Sequence, residues 1–383
     1  MASSADQDFA PAKERVSLRV AGREHDLWDY YRIDSNLMIP ADDWGFSLAA
    51  PTGPLPAWIK SGAAAEVRIG NDLVLSGRID NVTRRTSRPA RKMSISGRDG
   101  AAVLVDCSAP IFTAKNVGLQ EVVASIVRPL GITKIRIDSD HSTDTAEKVA
   151  IEPGIKAWDA LQQVAEANGL WPWFDPDGTL VIGGPDYTTA PVATLIERLD
   201  GRGNNTLSFE HVSAINDRYS EITMLAQSHG GAVAASTGMV DGIATISAQG
   251  QNSIMAKVQD KDMTIYRPLV HVEGDLPSVM DARAKARKLL MDGRLAGEGL
   301  TAVVKGHRTS DGLLWAPGQR IHVISESLGI DAVWFLMDRQ FSGGRRAETT
   351  TTLVLKEDGV WVIDAYKTKK GRKGKKLSTV VVG

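Results

Sequence analysis

Ala65-Glu-Val-Arg-Ile69, then Gly70-Asn71, then Leu73-Val-Leu-Ser-Gly-Arg-Ile79 is the stretch whose pattern decides the fold. Ala65 to Ile69 alternates apolar and polar with a period of two, and Gly-Asn is a turn signal, so the pair reads as a β-hairpin. The pattern extends on both sides. Val16-Ser-Leu-Arg-Val20 alternates in the same way, Lys92-Met-Ser-Ile-Ser96 follows, and Pro51-Thr-Gly-Pro54 marks another turn. Short strands at this spacing predict a first antiparallel β-barrel domain over residues 15–108. Asp99 sits where a carboxylate would cap a short helix over Ala101 to Val105.

The period then changes. Leu119, Val122, Val123 and Ile126 share one helical face, Pro129 and Gly131 end that helix, and Lys134-Ile-Arg-Ile137 returns to a strand. Trp158, Leu161, Val164 and Ala165 form a second helical stripe, closed by Asn168-Gly169. Leu170 to Phe174 and Thr179 to Ile182 then flank Asp175-Pro-Asp-Gly178 as a hairpin. Residues 109–200 thus read as a small α+β domain. Residues 201–360 return to β patterning as a second barrel domain. It holds one helix over about 278–292, stopped by Gly293 and read as surface-packed from Ala282-Arg-Ala-Lys-Ala-Arg287. The Gly- and Ala-rich stretch from Gly230 to Gly250 reads as a long hairpin or an exposed loop. The expected fold class is mainly β with an α+β insertion: two similar antiparallel β-barrel domains and a small α+β domain.

The similarity of the barrels has its own signal. Trp58, Gly62, Val67-Arg-Ile69, Leu75-Ser-Gly-Arg-Ile-Asp80 and Met93-Ser-Ile95 run in the same order as a second set. That set is Trp315-Ala-Pro-Gly318, Ile321-His-Val323, Phe335-Leu-Met-Asp338 and Thr352-Leu-Val-Leu355. Two copies of one fold explain the order, and so do turns common to all β domains. Either way Gly62 and Gly318 are expected at turns, where a residue without Cβ takes positive φ freely.

A chain of 383 residues has room for two to four domains. The lone Cys107 excludes an internal disulfide framework and a multi-cysteine zinc site. No apolar run approaches the ~18–20 residues of a membrane-spanning helix. Residues 1–14 are small, polar and acidic, and read as a flexible arm. Charge is uneven. Lys367, Lys369, Lys370, Arg372, Lys373, Lys375 and Lys376 are seven cations in a net charge of -1, so removing them leaves -8 on the rest. Residues 361–383 are therefore a basic tail on an acidic body, read as a solvated end, a nucleic-acid contact or a docking arm for an acidic partner. No aromatic interrupts the run, so it offers no stacking platform for single strands.

The search for chemistry is mostly negative. The sequence has no His-Glu-x-x-His pair, no Gly-x-Ser-x-Gly elbow and no Walker A loop. His307 and His322 read as ordinary core or surface residues. Asp175-Pro-Asp-Gly178 lacks the spacing of a calcium loop. Asp138, Asp140, Asp144 and Glu147 around His141 read as a solvated loop, with weak cation binding as the alternative. No catalytic residue, metal or cofactor is expected.

Five motifs run in order along the chain: Leu75-Ser-Gly-Arg-Ile-Asp80, Ile95-Ser-Gly-Arg-Asp99 with Leu104, Ala157-Trp-Asp-Ala-Leu161, Asp177-Gly-Thr-Leu180, and Gly306 through Leu314-Trp-Ala-Pro-Gly318. Together they resemble the baseplate hub family of Mu-like contractile-tailed phages, akin to the T-even hub and the N-terminal hub part of type VI secretion spikes. The resemblance marks Trp58, Gly62, Gly77, Asp80, Gly97, Asp99, Trp315, Pro317 and Gly318 as motif and turn positions. It implies a structural, non-enzymatic virion protein, assembled in the host cytoplasm: a homotrimeric ring that joins a sixfold tail tube to a threefold spike. Its partners would be itself, tube, spike and other baseplate proteins, with DNA passing through without specific binding. A tail-associated cell-wall hydrolase and a carbohydrate- or DNA-binding β module are the alternatives. Trp171 and Trp173, which would serve the second, are expected instead to pack their hairpin on its helix.

Overall fold

In a computed structural model the described residues are 14–49, 56–88, 91–138, 145–151, 153–227, 238–240, 243–245, 253–276, 278–345, 347–361 and 379–382. Seven strands come first: β1 (Val16–Val20), β2 (Arg23–His25), β3 (Tyr30–Asn36), β4 (Asp43–Ala49), β5 (Ala64–Ile69), β6 (Asp72–Thr86) and β7 (Arg91–Asp99). The hairpin expected at Gly70-Asn71 is β5–β6, and its apolar positions Val67, Ile69 and Leu75 are buried. Asp99 accepts the Ala101 amide at 2.9 Å in the turn just before α1 (Ala102–Asp106), whose N-cap is Ala101 without a side-chain cap bond, so Asp99 shapes the turn rather than capping the helix as expected.

The α+β unit follows: β8 (Thr113–Gly118), α2 (Leu119–Val127), β9 (Ile135–Asp138), β10 (Thr145–Ala150), α3 (Ala157–Glu166), β11 (Trp171–Phe174) and β12 (Leu180–Gly183). Its core joins the α2 stripe to Trp158, Ala160, Leu161 and the strand residues Ile135, Ile137, Leu180 and Ile182. The acidic loop read around His141 lies outside the described residues except at its ends; Asp138 there is ion-paired with Arg136.

Next come β13 (Ala193–Glu197) and β14 (Ser208–Ser213). A separate layer then forms from β15 (Glu221–Gln227), the short pair β16 (Gly238–Val240) and β17 (Ile243–Thr245), β18 (Ser253–Gln259), β19 (Pro268–Asp275) and α4 (Val279–Gly297). Here the sequence reading needs correction. Helix α4 does not stop at Gly293 but runs to Gly297, and it is not merely surface-packed: Ala282, Ala286 and Leu290 are buried against Ile222, Met224 and Ala256. Gly293 and Gly297 serve close approach instead. A Cβ on them would lie 2.2 Å from the Asp217 carbonyl oxygen and 2.5 Å from that of Ala214. Ser278 caps the helix by accepting the Asp281 amide.

The chain returns with β20 (Glu298–Lys305), β21 (Arg320–Ser325), β22 (Ile330–Gly344) and β23 (Ala347–Glu357), and ends in β24 (Thr379–Val382). A 13-stranded sheet takes the order β14-β20-β23-β22-β3-β4-β7-β6-β5-β1-β2, with β21 on β22 and β13 on β21. One apolar core runs through it, from Leu18, Ile33, Trp44 and Ile95 to Leu300, Ile321, Phe341 and Leu353. The two barrel-like halves thus share a sheet and a core. Trp171 reaches further than expected: its hairpin packs on α3, while its ring also joins Leu295, Phe335 and Trp361 and donates to the Leu37 carbonyl at 2.6 Å.

Gly97 lies under this packing: a Cβ on it would sit 2.2 Å from the Arg78 carbonyl oxygen and 2.4 Å from the Trp44 ring. Gly318 has open space but φ of 91°. Urea unfolding should therefore show Gly97→Ala losing about 3 kcal/mol through overpacking against backbone, and Gly318→Ala losing about 1–2 kcal/mol through backbone strain alone. Equal losses, or the reverse order, would contradict the close-packing role of Gly97.

Candidate functional site: the repeated unit and the joint between its copies

Trp58 and Trp315 each lead into a glycine with positive φ, Gly62 at 81° and Gly318 at 91°. Each glycine then makes the same bonds. Gly62 N–H donates to the Ile79 carbonyl at 2.7 Å, and Ile79 N–H returns to Ala63 at 3.0 Å. Gly318 N–H donates to Leu336 at 2.8 Å, and Leu336 N–H returns to Gln319 at 2.8 Å. The following hairpins, β5–β6 and β21–β22, both end in a strand of 15 residues. Both long strands are bulged at the same place, between Ile79 and Asn81 and between Leu336 and Asp338. The bulges align Asp80 with Met337 and Asn81 with Asp338, one residue away from the match that composition suggests.

Strand order repeats as well: β5-β6-β7-β4-β3 in one half, β21-β22-β23-β20-β14 in the other. They differ at one flank, where β1 is antiparallel to β5 but β13 is parallel to β21. The tryptophans also differ. Trp315 is buried, while Trp58 is half-buried beneath the Arg23 guanidinium.

The halves meet edge to edge. Beyond the bulge, Asp338 to Gly343 of β22 pairs antiparallel with Asn36 to Tyr31 of β3. His307 is fully buried at this joint. Its Nε2 lies 2.8 Å from the Tyr31 hydroxyl, its Nδ1 3.1 Å from Thr351 Oγ1, and its ring 4.5 Å from that of Phe341. Thr351 gives its own proton to the Gly306 carbonyl, so it accepts from Nδ1–H, and Nε2 accepts from Tyr31. Burial lowers the His307 pKa to about 3 and raises that of Tyr31 to about 12, so both are neutral at physiological pH.

Beside it is a charged cluster. Arg339 is buried, lies 3.9 Å over the Phe341 ring, and faces Asp42, Asp34 and Asp338. Burial lowers its pKa to about 10, which leaves it charged at neutral pH. Desolvation raises Asp42 to about 6 and Asp338 to about 7, and holds Asp99 well above the carboxylate range. Asp42 accepts from the Ser35 hydroxyl and the Asn36 amide, and Asp338 from Asn36 Nδ2. A cavity of about 140 Å³ lined by Asp42, Asp99, Arg339, Trp158, Phe174 and Pro317 separates this cluster from the α+β unit. The cluster ties β3 and β22 by charge to Asp42, which stands just before β4.

Of the remaining sequence-selected positions, Gly77 and Gly97 let β6 and β7 approach: a Cβ on Gly77 would meet the Arg98 carbonyl oxygen at 1.9 Å. Asp80 accepts from Arg98 Nε at 2.6 Å, and Arg98 also forks onto Asp106. The seven cations from Lys367 to Lys376 lie outside the described residues. The apolar strand that follows them, β24, pairs with β9 of its own chain, Val380 opposite Ile137. Sequence reasoning missed Arg339 and the role of Tyr31, because nothing in β3 announces a strand partner some 300 residues away.

Comparison with known proteins places most of the chain. Residues 15–99 match the family described as Mu phage baseplate assembly protein GpP-like, N-terminal. Residues 101–184 match baseplate hub protein gp44-like, second domain. Residues 218–290 match tail protein NMB1110-like, third domain, and 292–360 tail protein, C-terminal domain. The chain is 39% identical to the tail protein from Neisseria meningitidis MC58, with TM-score 0.77, over 92% of this chain and 99% of that one. It is 23% identical to baseplate hub protein gp44 of Escherichia phage Mu over 85% of this chain and 82% of that one. The 43 kDa tail protein of prophage MuSo2 from Shewanella oneidensis shares the fold at TM-score 0.76 and 22% identity, over 90% of this chain and 99% of that one.

The buried histidine sets a pH dependence. Its folded pKa lies below the ordinary 6.5, so between pH 6.5 and about 3 the unfolded chain binds the proton and the native state does not. Stability contributed by neutral His307 is complete above pH 6.5 and falls as pH drops. The stability advantage of the wild type over His307→Gln, read from urea midpoints, should shrink between pH 7.5 and pH 4.5. A constant difference would mean that His307 is not buried as the neutral form.

Proposed function

We propose that this chain, which belongs to the Mu-like phage family of baseplate hub and tail proteins, acts as a hub whose three copies close into a ring of six barrel-like units. The carrying observation is the repeat: one chain holds two copies of one unit, with matching glycine turns, bulges and strand order, joined edge to edge. Three such chains present six similar units on one side while keeping threefold symmetry overall. That is the geometry needed between a sixfold tube and a threefold spike. The hub then works mechanically, holding tube above and spike below and moving with both. It has no catalytic role in this reading, and its buried carboxylates serve to clamp the joint. Assembly takes place in the host cytoplasm, and the finished hub sits in the virion tail. An acidic body suits a channel through which DNA passes, since phosphate affinity comes from Lys and Arg contacts.

The basic run from Lys367 to Lys376 docks, in the same reading, on an acidic surface of the spike or of a neighbouring hub subunit. It lies between Trp361 and β24, which ties its far end to β9. Replacing the seven cations with serine should leave hub mass unchanged and weaken spike binding at low salt. Unchanged affinity at low and high salt would remove the docking role.

Sedimentation equilibrium should give a mass near three chains of 41.2 kDa. A folded protein that remains monomeric across micromolar concentrations would contradict the ring.

A further inference from the structure

The repeat leaves one joint made and its counterpart open. In one half the pairs run Leu336 to Leu355 to Leu300 to His211 across the sheet; in the other they run Ile79 to Gly97 to Trp44 to Ile33. His211 of β14 therefore stands where Ile33 of β3 stands. Ile33 is paired with Phe341, five residues beyond Leu336 on the far half of β22. The same step beyond Ile79 reaches Arg84 on the far half of β6. Yet that far half, Asn81 to Thr86, is paired only on its β7 side, and β14 only on its β20 side, among the described residues.

We infer that β14 of one copy pairs antiparallel with the far half of β6 of the next copy, in the register that β3 and β22 show within the chain. His211 then lies opposite Arg84, Val212 opposite Thr83, and Glu210 opposite Arg85. Glu210 and Arg85 are both exposed and become a cross-strand pair of opposite charge on one face. Val212 and Thr83, β-branched and exposed in the isolated chain, become neighbours on that same face. Six residues on each open edge match in length. An open edge of this kind is an aggregation hazard in a finished protein; pairing it with a second copy removes the hazard. The contact is head to tail, one β14 and one β6 per chain, so repetition closes a ring if the rotation allows. The number of copies rests on the ring reading above; the strand pairing and its register do not.

Disulfide trapping tests the register. With Cys107→Ser as background, Thr83→Cys and Val212→Cys together should form intermolecular disulfides on mild oxidation, since directly opposed residues of antiparallel strands fall within disulfide reach. The products should be linked dimers and trimers on a denaturing gel. Thr83→Cys with Glu210→Cys, two residues out of register, should link far less. Independently, Arg85→Glu should raise the dissociation constant of the assembly about tenfold through like charges facing each other, and adding Glu210→Arg should restore it. A wild type of trimer mass whose in-register variant fails to link, with no rescue by the charge swap, overturns the pairing and leaves the ring reading standing. A wild type that is monomeric by mass overturns both.

Discussion

The backbone ladder between β3 and β22 is the contact on which the rest of the molecule depends. It joins residues 31–36 to residues 338–343 and makes one sheet of two halves distant in sequence. A strand edge left unpaired in a core would strand a row of amides and carbonyls, at a cost comparable to the hydrogen bonds lost. The chain meets that requirement by running β22 past the end of β21, so that one 15-residue strand serves two neighbours in turn. Around the ladder the side chains are specialised. His307 is held neutral by burial and bonded on both nitrogens, and Arg339 is held charged among Asp34, Asp42 and Asp338. Removing either partner of such a buried set leaves a polar group uncompensated. The joint therefore favours one arrangement of the halves.

Packing elsewhere follows from small residues at chosen points. Gly77 and Gly97 bring β6 and β7 together under Trp44, and Gly293 and Gly297 bring α4 against the Asp217 and Ala214 backbone. Ala282 and Ala286 let the same helix lie close on β15 and β18. Trp171 spans from the α+β unit to Leu37 and the Phe335 cluster, and couples that unit to the sheet. Shared cores keep such units from hinging freely more directly than linkers do.

Much of this was legible in the residues. Period-two alternation marked β1, β5, β6 and β7, and the order tryptophan, glycine, hairpin pointed to Trp58 and Trp315 as repeat markers. Positive φ at Gly62 and Gly318 is a local demand, so it can be read locally. What escaped is long-range. Tyr30–Asn36 is polar and uneven, and its pairing with β4 on one side and β22 on the other makes it a strand. Gly293 looked like a helix stop because a stop and a close contact both call for glycine, and sequence does not separate them. The fusion of two barrels into one core, and the use of β24 on β9, are decided by tertiary pairing that leaves no periodic trace.

The proposed ring of alternating halves, joined within and between chains by the same strand ladder, is tested most directly by electron microscopy of the purified protein, averaged in top view without imposed symmetry. The expected image is a closed ring of six lobes of similar size at near-equal angular spacing, with detail repeating every second lobe. Three lobes separated by gaps, or isolated two-lobed particles, would contradict the claim that the joint inside the chain is repeated between chains.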